Sequence, residues 1–404
     1  MIVLAQTGDG IDPMFIFNSV LQGVFNGVSI GSVLLMAALG LAIVFGLMGV
    51  INLAHGELMM LGAYSTFVVQ NVFKPLGEGW SSVYIFVALP VAFIVSALVG
   101  LAIERGVIRF LYGRPLETLL ATWGVSLILR QFVRSVNWSL AVGLTVFCGL
   151  FFGAWVVLSR QGFWPRIKQW AIGVFLVLSG AITIALFLLL NRYDNLSKPW
   201  FSARNVDVTA PAWLRGGLPL GNFQLPYARI FIIVLTIVCV VGVFLFLNRS
   251  RWGLRIRAVT QNRSMSACLG IPTNQVDALT FAIGSGLAGI AGVAITLLGS
   301  VGPNTGQNYI VDTFMVVVVG GVGNLFGSII AALVIGVVTY IVGSGTIPLL
   351  LGSLQSPVLQ PLIDITSFFE STSMAKVLVF ALIIAFLQFR PSGIFAPKGR
   401  TAEL

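Results

Sequence analysis

The chain has 404 residues, of which 57% are hydrophobic and only 9% are charged, and its mean hydropathy is +1.00. A soluble domain carries about 25% charged residues, so this composition excludes a water-soluble protein of this size. It predicts an all-α, polytopic bundle of transmembrane helices. The net charge of +10 does not indicate a nucleic-acid partner, because the basic residues are grouped in loops between apolar runs.

Apolar runs predict about nine to eleven membrane elements, some of them re-entrant, since one span needs roughly 20 residues. A short polar tail, 1–13, precedes them. The runs are 14–48, 58–72, 83–103, 116–132, 140–158, 170–190, 229–247, 276–298, 314–342 and 374–388. The first run is too long for one span, and we expect two helices that meet near its glycines at 27–31.

The basic residues set the expected orientation of the bundle. They concentrate at 105–114, 160–168, 249–263 and 390–400, whereas 73–82, 299–312 and 343–373 contain a single one, Lys74. The positive-inside rule places the first set of loops in the cytoplasm. The C-terminal tail, 389–404, is therefore expected in the cytoplasm, and the parity of crossings puts 191–228 outside.

The stretch from Gly49 to Tyr64 interrupts the apolar sequence with Asn52, the single histidine His55, and Glu57. Ionisable groups at membrane depth are costly and usually face a bundle interior or a water-filled path. Asn52 and His55 are therefore candidates for a substrate path, and a hydrogen-bonded packing role is the alternative for His55. Glu57 is expected to accept hydrogen bonds from backbone N–H groups at a helix N-terminus.

A short internal repeat links this stretch to a later one. Gly-Val-Ile-Asn-Leu at 49–53 and Gly-Val-Gly-Asn-Leu at 321–325 are identical at four of five positions. The match predicts a pseudo-repeat of two halves, as in transporters whose broken helices meet at a central site, and chance in a Gly- and Val-rich chain is the alternative. Asn324 would then be the counterpart of Asn52. A neutral amide supplies both hydrogen-bond donors and acceptors, which suits a neutral solute.

The basic segment 248–275 is too polar to cross a membrane. Ser264 is expected to cap a short helix from Met265 to Leu269, which Gly270 would end. A short cytoplasmic helix between two spans is a docking element for a soluble partner. A solvated loop, rich in arginine only because of the positive-inside rule, is the alternative.

Several enzymatic chemistries find no support in the sequence. It contains no phosphate-binding GxxxxGK[ST] loop and no GxSxG nucleophile motif. His55 and Glu57 do not form an HExxH motif, and Cys148, Cys239 and Cys268 lie far apart, so no metal site is expected. The chain is predicted to be a transporter subunit and not an enzyme.

Three segments carry a resemblance to a known family. The stretch from Gly49 to Tyr64 resembles the signature of the branched-chain amino acid permease family of ABC importers. The loop 252–263 and the run 302–325 resemble, within that family, the permease subunits of urea importers. The resemblance covers 15–132 and 229–400, while 140–228 looks like an insertion.

The resemblance implies one permease domain over 1–404 in the bacterial inner membrane. It would import urea or short amides by alternating access; import of branched-chain amino acids is the first alternative, and a stand-alone urea channel or secondary transporter is the second. The implied partners are a second permease subunit in a heterodimer, two cytoplasmic ATPase subunits that hold ATP and Mg, and a periplasmic solute-binding protein. This chain would hold no cofactor.

The resemblance also assigns roles to residues. The binding protein would deliver the solute near 303–308. The solute would then leave along a substrate path formed by Asn52, His55, Asn304, Gln307 and Asn324. The segment 248–275 would contain the coupling helix that fits an ATPase groove. Its coupling residues would be Arg257, Ser264, Met265, Ala267 and Gly270.

Overall fold

A computed structural model describes residues 13–159, 164–193, 198, 200–201, 205–220, 223–353 and 360–395. Contacts within the chain divide it into two compact units, one formed by the residues up to Ser126 and from Asp207 onward, the other by Leu127–Val206. The predicted tail 1–13 lies outside the described residues except for Pro13. The end of the C-terminal tail, 396–404, also lies outside them.

Helices dominate both units. The first part of the chain forms α1 (Pro13–Met48), α2 (His55–Phe73), α3 (Glu78–Gly106), α4 (Pro115–Ser135), α5 (Trp138–Ser159) and α6 (Trp164–Leu190). The second part forms α7 (Tyr227–Arg249), α8 (Arg251–Gln261), α9 (Arg263–Cys268), α10 (Thr273–Thr296), α11 (Thr305–Gly320), α12 (Leu325–Gly343), α13 (Thr346–Ser353), α14 (Gln360–Phe368) and α15 (Thr372–Phe389). One antiparallel hairpin, β1 (Gly217–Leu220) with β2 (Phe223–Pro226), precedes α7.

Within the described residues, six helices are long and apolar enough to cross a membrane, and a bent pair, α14 with α15, raises the number to seven. This finding supports a polytopic helical membrane protein but not the predicted nine to eleven elements. The difference arises because several apolar runs fold as shorter or more polar helices, such as α2 and α11. Side chains on α7 face outward without charge, among them Ile237 and Val238, as expected for a surface in contact with lipid.

The expected break in the first apolar run is wrong, because α1 is one helix of 36 residues. Its glycines serve packing and not a turn. A Cβ atom at Gly27 would lie 2.6 Å from the Cα of Val337, and one at Gly31 would lie 2.7 Å from the carbonyl oxygen of Ala332. The close approach of α12 along α1 therefore offsets the unfavourable helix propensity of glycine.

Small residues also bring α10 into the centre of the first unit. A Cβ atom at Gly284 would lie 2.7 Å from the carbonyl oxygen of Gly40 in α1. Gly292 lies equally close to α2, where its Cβ would be 2.7 Å from the backbone nitrogen of Ala63. Helix α10 thus touches the backbones of α1 and α2 along one face, which is the small-residue packing that membrane helices favour.

The segment before α7 packs against the end of α2 and the start of α3. The carbonyl oxygen of Thr209 accepts hydrogen bonds from Gln70 Nε2 at 2.7 Å and from the Tyr84 hydroxyl at 2.9 Å. Val208 and Leu214 join a hydrophobic cluster that includes Tyr84. The predicted insertion, 140–228, therefore does not coincide with a structural unit, since its last part packs with the first unit.

The second unit contains its own contacts. Helices α5 and α6 pack together near Gly143, where a Cβ would lie 3.4 Å from Thr183 Cγ2. The ring of Trp200 meets Trp138 edge-on at 4.8 Å, and its backbone N–H donates to the carbonyl of Val136.

Candidate functional site

Helix α2 begins inside the bundle. His55, its first residue, has Nε2 at 3.0 Å from the carbonyl oxygen of Ala37. Ala37 lies eleven residues before the end of α1, which corresponds to about 16 Å along the helix axis. The segment 49–54 therefore folds back from the end of α1, and Gly49 takes the positive φ of +69° that this reversal requires.

Helix α11 begins at the same place. A Cβ atom at Gly306 would lie 2.6 Å from the carbonyl carbon of Gly56 and 2.7 Å from Glu57 Oε2. Two helix N-termini thus meet within the bundle, where their backbone N–H groups carry partial positive charge. Broken helices that begin at mid-depth form the central sites of many transporters.

A buried carboxylate lies at this junction. Glu57 is 1% exposed and is in the first turn of α2. Its Oε1 accepts a hydrogen bond of 3.0 Å from the hydroxyl of Ser126 at the boundary of the first unit. A carboxylate beside two helix N-termini is in a favourable field, which agrees with the predicted structural role of Glu57.

Asn52 and His55 are buried next to the junction. Asn52 is 1% exposed and His55 is fully buried. Asn52 Oδ1 accepts from the backbone N–H of Ala54 at 3.0 Å, so this amide stabilises the start of α2. Asn52 Nδ2 and His55 Nδ1 have no hydrogen-bond partner within the described part of the chain. The packing role expected as the alternative for His55 thus accounts for one of its two ring nitrogens.

The predicted path residues on α11 are exposed. Asn304, the N-cap position, and Gln307, Asn308 and Val311 form an exposed stripe on one face of the helix. We call these four residues the amide stripe. Helix positions three and four apart share a face, so the stripe presents three neutral amides along the first turns of α11.

The only acidic residue of α11 is paired. Asp312 Oδ2 lies 2.7 Å from Lys376 Nζ in α15, and the ammonium group is 5.9 Å from the centre of the Tyr309 ring. The side chain of Asp312 is 10% exposed. The sequence analysis did not identify this pair, although charged residues within apolar runs indicate partners at membrane depth.

Asn324 lies at the other end of α11. It is the N-cap of α12, and its Oδ1 accepts from the backbone N–H of Gly327 at 3.3 Å. Gly321 and Gly323 reverse the chain before it with φ of +99° and +80°. The two matching pentapeptides therefore share a glycine of positive φ and an asparagine that holds the next helix start, while the larger repeat of two halves stays a prediction.

The basic segment 248–275 folds as two helices, α8 and α9. The N-cap of α9 is Asn262, whose Oδ1 accepts from the backbone N–H of Met265 at 2.9 Å. The predicted cap, Ser264, instead lies within the first turn and donates its hydroxyl to Asn262 Oδ1. Asparagine is an equally good cap and precedes it in the chain. Gly270 ends this region with φ of +80°, as predicted.

All five predicted coupling residues are exposed: Arg257, Ser264, Met265, Ala267 and Gly270. Two apolar side chains project from this element, Met265 with 59% and Leu269 with 75% of their surface exposed. Helix α8 packs against α10 through Ile256 and Val259, which form a small hydrophobic core with Val276 of α10.

An ionic cluster that the sequence analysis missed lies beside α9. Arg263 Nη2 is 2.7 Å from Asp277 Oδ2, and the guanidinium carbon is 4.9 Å from the centre of the Tyr112 ring. The Tyr112 hydroxyl donates to Glu104 Oε1 at 3.0 Å. Burial, together with the carboxylates of Asp277 and Glu104, raises the pKa of Tyr112 well above its usual range. Tyr112 therefore stays a neutral donor.

The long-range sequence separations explain why this cluster was missed. Glu104 is in the last turn of α3, Tyr112 lies in the following loop, and Asp277 is in the second turn of α10. Only Asp277 gave a signal, because a carboxylate in an apolar run predicts a cationic partner.

Comparison with known proteins identifies the family. The model of the branched-chain amino acid transport system permease component matches residues 23–387. The high-affinity branched-chain amino acid transport system permease protein LivH of Salmonella typhimurium is 27% identical and is aligned over 93% of this chain and 94% of its own length. The corresponding protein BraD of Pseudomonas aeruginosa is 27% identical over 78% of this chain and 84% of its own.

A more distant relative, the probable branched-chain amino acid transport permease protein LivH of Methanocaldococcus jannaschii, is 23% identical over 78% of this chain and 79% of its own. No solved structure matches the chain. These relatives are transport permeases and not enzymes, as predicted for this chain. The chain, a multi-pass membrane protein, belongs to the family of branched-chain amino acid transport system permease components.

Proposed function

We propose that this chain is a membrane-spanning subunit of an ATP-driven importer and that it opens alternately to the two sides of the membrane. The observation that carries the proposal is the meeting of α2 and α11 at Gly56 and Gly306 inside the bundle. Two helices that begin at mid-depth next to buried polar atoms form a site in transporters. If both helices ran unbroken through this region, their backbone groups would bond to one another and would offer a solute no hydrogen bonds.

The path proposed here runs along the amide stripe to the buried pair Asn52 and His55. Asn304 and Gln307 are exposed, so a solute can reach them first. Asn52 Nδ2 and His55 Nδ1 lack partners among the described residues, and a passing solute or water would satisfy them. Asn324 lies at the far end of α11 and would line the exit.

The relatives support branched-chain amino acids as the cargo, because LivH and BraD are permease proteins of high-affinity branched-chain amino acid transport systems. A zwitterion requires a site for its carboxylate. The N-termini of α2 and α11 provide backbone N–H groups of the right polarity, although Glu57 already occupies part of that field.

Urea is the second candidate, and the amide stripe favours it. Its three amides are neutral, and Asp312, the acidic residue of the same helix, is paired with Lys376. A site without free charge suits a neutral solute that both donates and accepts hydrogen bonds. The run 302–325, which resembles the urea importers of this family, contains the whole amide stripe.

The proposed assembly contains a second permease subunit, two cytoplasmic ATPase subunits and a periplasmic binding protein in the inner membrane of a bacterium. The exposed Met265 and Leu269 support α9 as the coupling helix, since isolated apolar side chains on a polar loop suit a partner groove. In this arrangement α8, α9 and the C-terminal tail lie in the cytoplasm, in agreement with the basic residues of 249–263.

One experiment separates the cargoes. Uptake of radiolabelled urea and leucine is measured at micromolar concentration in cells that lack only this gene, with each solute and short amides as competitors. Loss of leucine uptake that urea does not compete assigns amino acids, and loss of urea uptake that leucine does not compete assigns urea. Unchanged, ATP-independent uptake of both would contradict the proposed function.

A second experiment tests the path. We expect Asn304→Leu with Gln307→Leu to reduce uptake by about fivefold to tenfold, because each hydrogen bond contributes about 1 kcal/mol. Both residues are exposed, so folding should be unaffected. Val238→Leu on the outward face of α7 is the control. Full uptake in the double variant would exclude the amide stripe from the path.

A further inference from the structure

Arg263 connects the short helix α9 directly to α10 and, through Tyr112, to α3. It is the first residue of α9, and its guanidinium pairs with Asp277 of α10 at 2.7 Å. It also lies 3.4 Å from Asn274 Oδ1 and covers the ring of Tyr112, which is hydrogen-bonded to Glu104 of α3. One planar cation thus holds α9 against both α3 and α10.

The contacts of Arg263 are protected from water. The side chains of Asp277 and Arg263 are 8% and 26% exposed, and Glu104 is 1% exposed. Buried pairs are screened much less than surface pairs, so the charge pair itself holds α9 to α10. Such a contact transmits displacement, whereas an exposed pair such as Arg114 with Glu117 would yield to water.

The polypeptide connection between α9 and α10 is the second link between these two helices. It contains Gly270 with φ of +80°, a residue that changes its backbone angles at little cost. Arg263, in contrast, forms an ion pair with Asp277, which lies in the second turn of α10, a helix of 24 residues.

Helix α10 runs from the ion pair of Arg263 and Asp277 to the candidate site. Further along the helix, Gly284 touches the backbone of α1 at Gly40, and the Cβ position of Gly40 is 2.9 Å from His55 Cε1. Gly292 touches the backbone of α2 at Met59 and Ala63. The helices are close-packed at these backbone contacts, so a shift of α10 would displace α1 and α2 as well.

We propose that Arg263 is a positioning residue that transmits movement of α9, driven by the ATPase, through Asp277 into α10 and from there to the start of α2. This inference rests on the proposed function. The cation is needed for coupling and not for docking, because other side chains form the exposed surface here, among them Met265 of α9 and Leu269 just after it.

The test uses the complete complex of this chain with its permease, ATPase and binding-protein partners in proteoliposomes. ATP hydrolysis and solute uptake are measured on the same preparation, purified through a tag on the ATPase, for wild type, Arg263→Gln, Asp277→Asn and Arg263→Lys. The control is Arg251→Gln, which removes the exposed first residue of α8. The readout is solute moved per ATP hydrolysed.

We expect Arg263→Gln and Asp277→Asn to hydrolyse ATP within about twofold of wild type and to move at least about fivefold less solute per ATP, a loss in the range of allosteric couplings. Arg263→Lys keeps the charge and should recover much of the ratio, and Arg251→Gln should match wild type.

An unchanged ratio in Arg263→Gln would overturn the inference. So would loss of the ATPase from Arg263→Gln or an equal loss of coupling in Arg263→Lys, because Arg263 would then shape α9 and not transmit its movement. A wild-type complex that hydrolyses ATP without accumulating solute would overturn the proposed function itself, and the inference with it.

Discussion

Gly56 and Gly306 allow two helix starts to approach more closely than any residue with a side chain would permit. Each would direct its Cβ atom at the backbone of the other, and Gly306 would also place it 2.7 Å from Glu57 Oε2. The sequence analysis singled out the stretch from Gly49 to Tyr64, which contains Gly56. It did not predict the partner, because the two glycines are far apart in the chain and no local pattern links them.

Replacement of Gly306 by alanine should therefore be costly. We expect Gly306→Ala to destabilise the protein by about 1–3 kcal/mol, since the added methyl group forces the two helix starts apart. The measurement is the thermal unfolding of the purified protein in detergent. Gly242→Ala in α7 is the matched control, because its Cβ would meet open space, and it should be neutral or stabilising. Equal stability of the two variants would contradict the close approach.

The hydrogen bond between Ser126 and Glu57 supports a buried carboxylate. Ser126→Ala removes the donor at 3.0 Å and should cost about 1.5–3 kcal/mol, as expected for a bond to a charged group. Ser135→Ala removes a hydroxyl that, among the described residues, bonds to carbonyls of its own helix, and it should change stability by less than about 0.5 kcal/mol. The same unfolding measurement would exclude a supporting role for Ser126 if both variants unfold alike.

At the scale of helices, the sequence predicted which segments are apolar better than it predicted where a helix begins or is interrupted. The run from residue 14 to Met48 is a single helix because α12 packs against Gly27 and Gly31, and only tertiary structure reveals that contact. The short helix α9 was predicted from its end at Gly270, a local signal. Its start was misplaced because Asn262 and Ser264 are both good caps, and geometry decides between them.

The exposed Cys268 provides a test of the side and surroundings of α9. In a protein with Cys148→Ser and Cys239→Ala, a membrane-impermeant maleimide should label Cys268, which is exposed, in inside-out vesicles and not in intact cells. Bound ATPase should reduce the labelling rate. A variant that retains only Cys239, which is buried, is the control and should react poorly. Labelling of Cys268 from the outside would contradict the proposed orientation.

The pair Asp312 and Lys376 joins α11 to α15, and removal of one partner leaves a buried charge. We expect Lys376→Met to destabilise the protein by about 3–5 kcal/mol, because the carboxylate of Asp312 remains without compensation. The double variant with Asp312→Asn should recover most of this loss, and Lys74→Met, at an exposed site, should have little effect. Additive effects in this double-mutant cycle, followed by thermal unfolding, would show that the pair does not couple the helices.

At the scale of the whole molecule, composition alone predicted a polytopic helical membrane protein. The predicted nine to eleven membrane elements are not confirmed, because apolarity does not distinguish a full span from helices such as α2 and α11 that begin inside the bundle. The structural division at Ser126 and Asp207 was also beyond the sequence, since Val208 and Leu214 pack onto elements distant in the chain. The family, in contrast, was recognisable from Gly49 to Tyr64, where chemistry is concentrated in a short segment.

The central claim is that this chain moves solute only when ATP hydrolysis drives it. The most direct measurement is uptake of radiolabelled leucine and urea into proteoliposomes that contain this chain and its partners, with ATP inside or omitted. We expect accumulation of one of the two solutes above its external concentration, dependent on ATP and on the binding protein. Uptake by this chain alone, which equilibrates without ATP, would contradict ATP-driven import and indicate a channel.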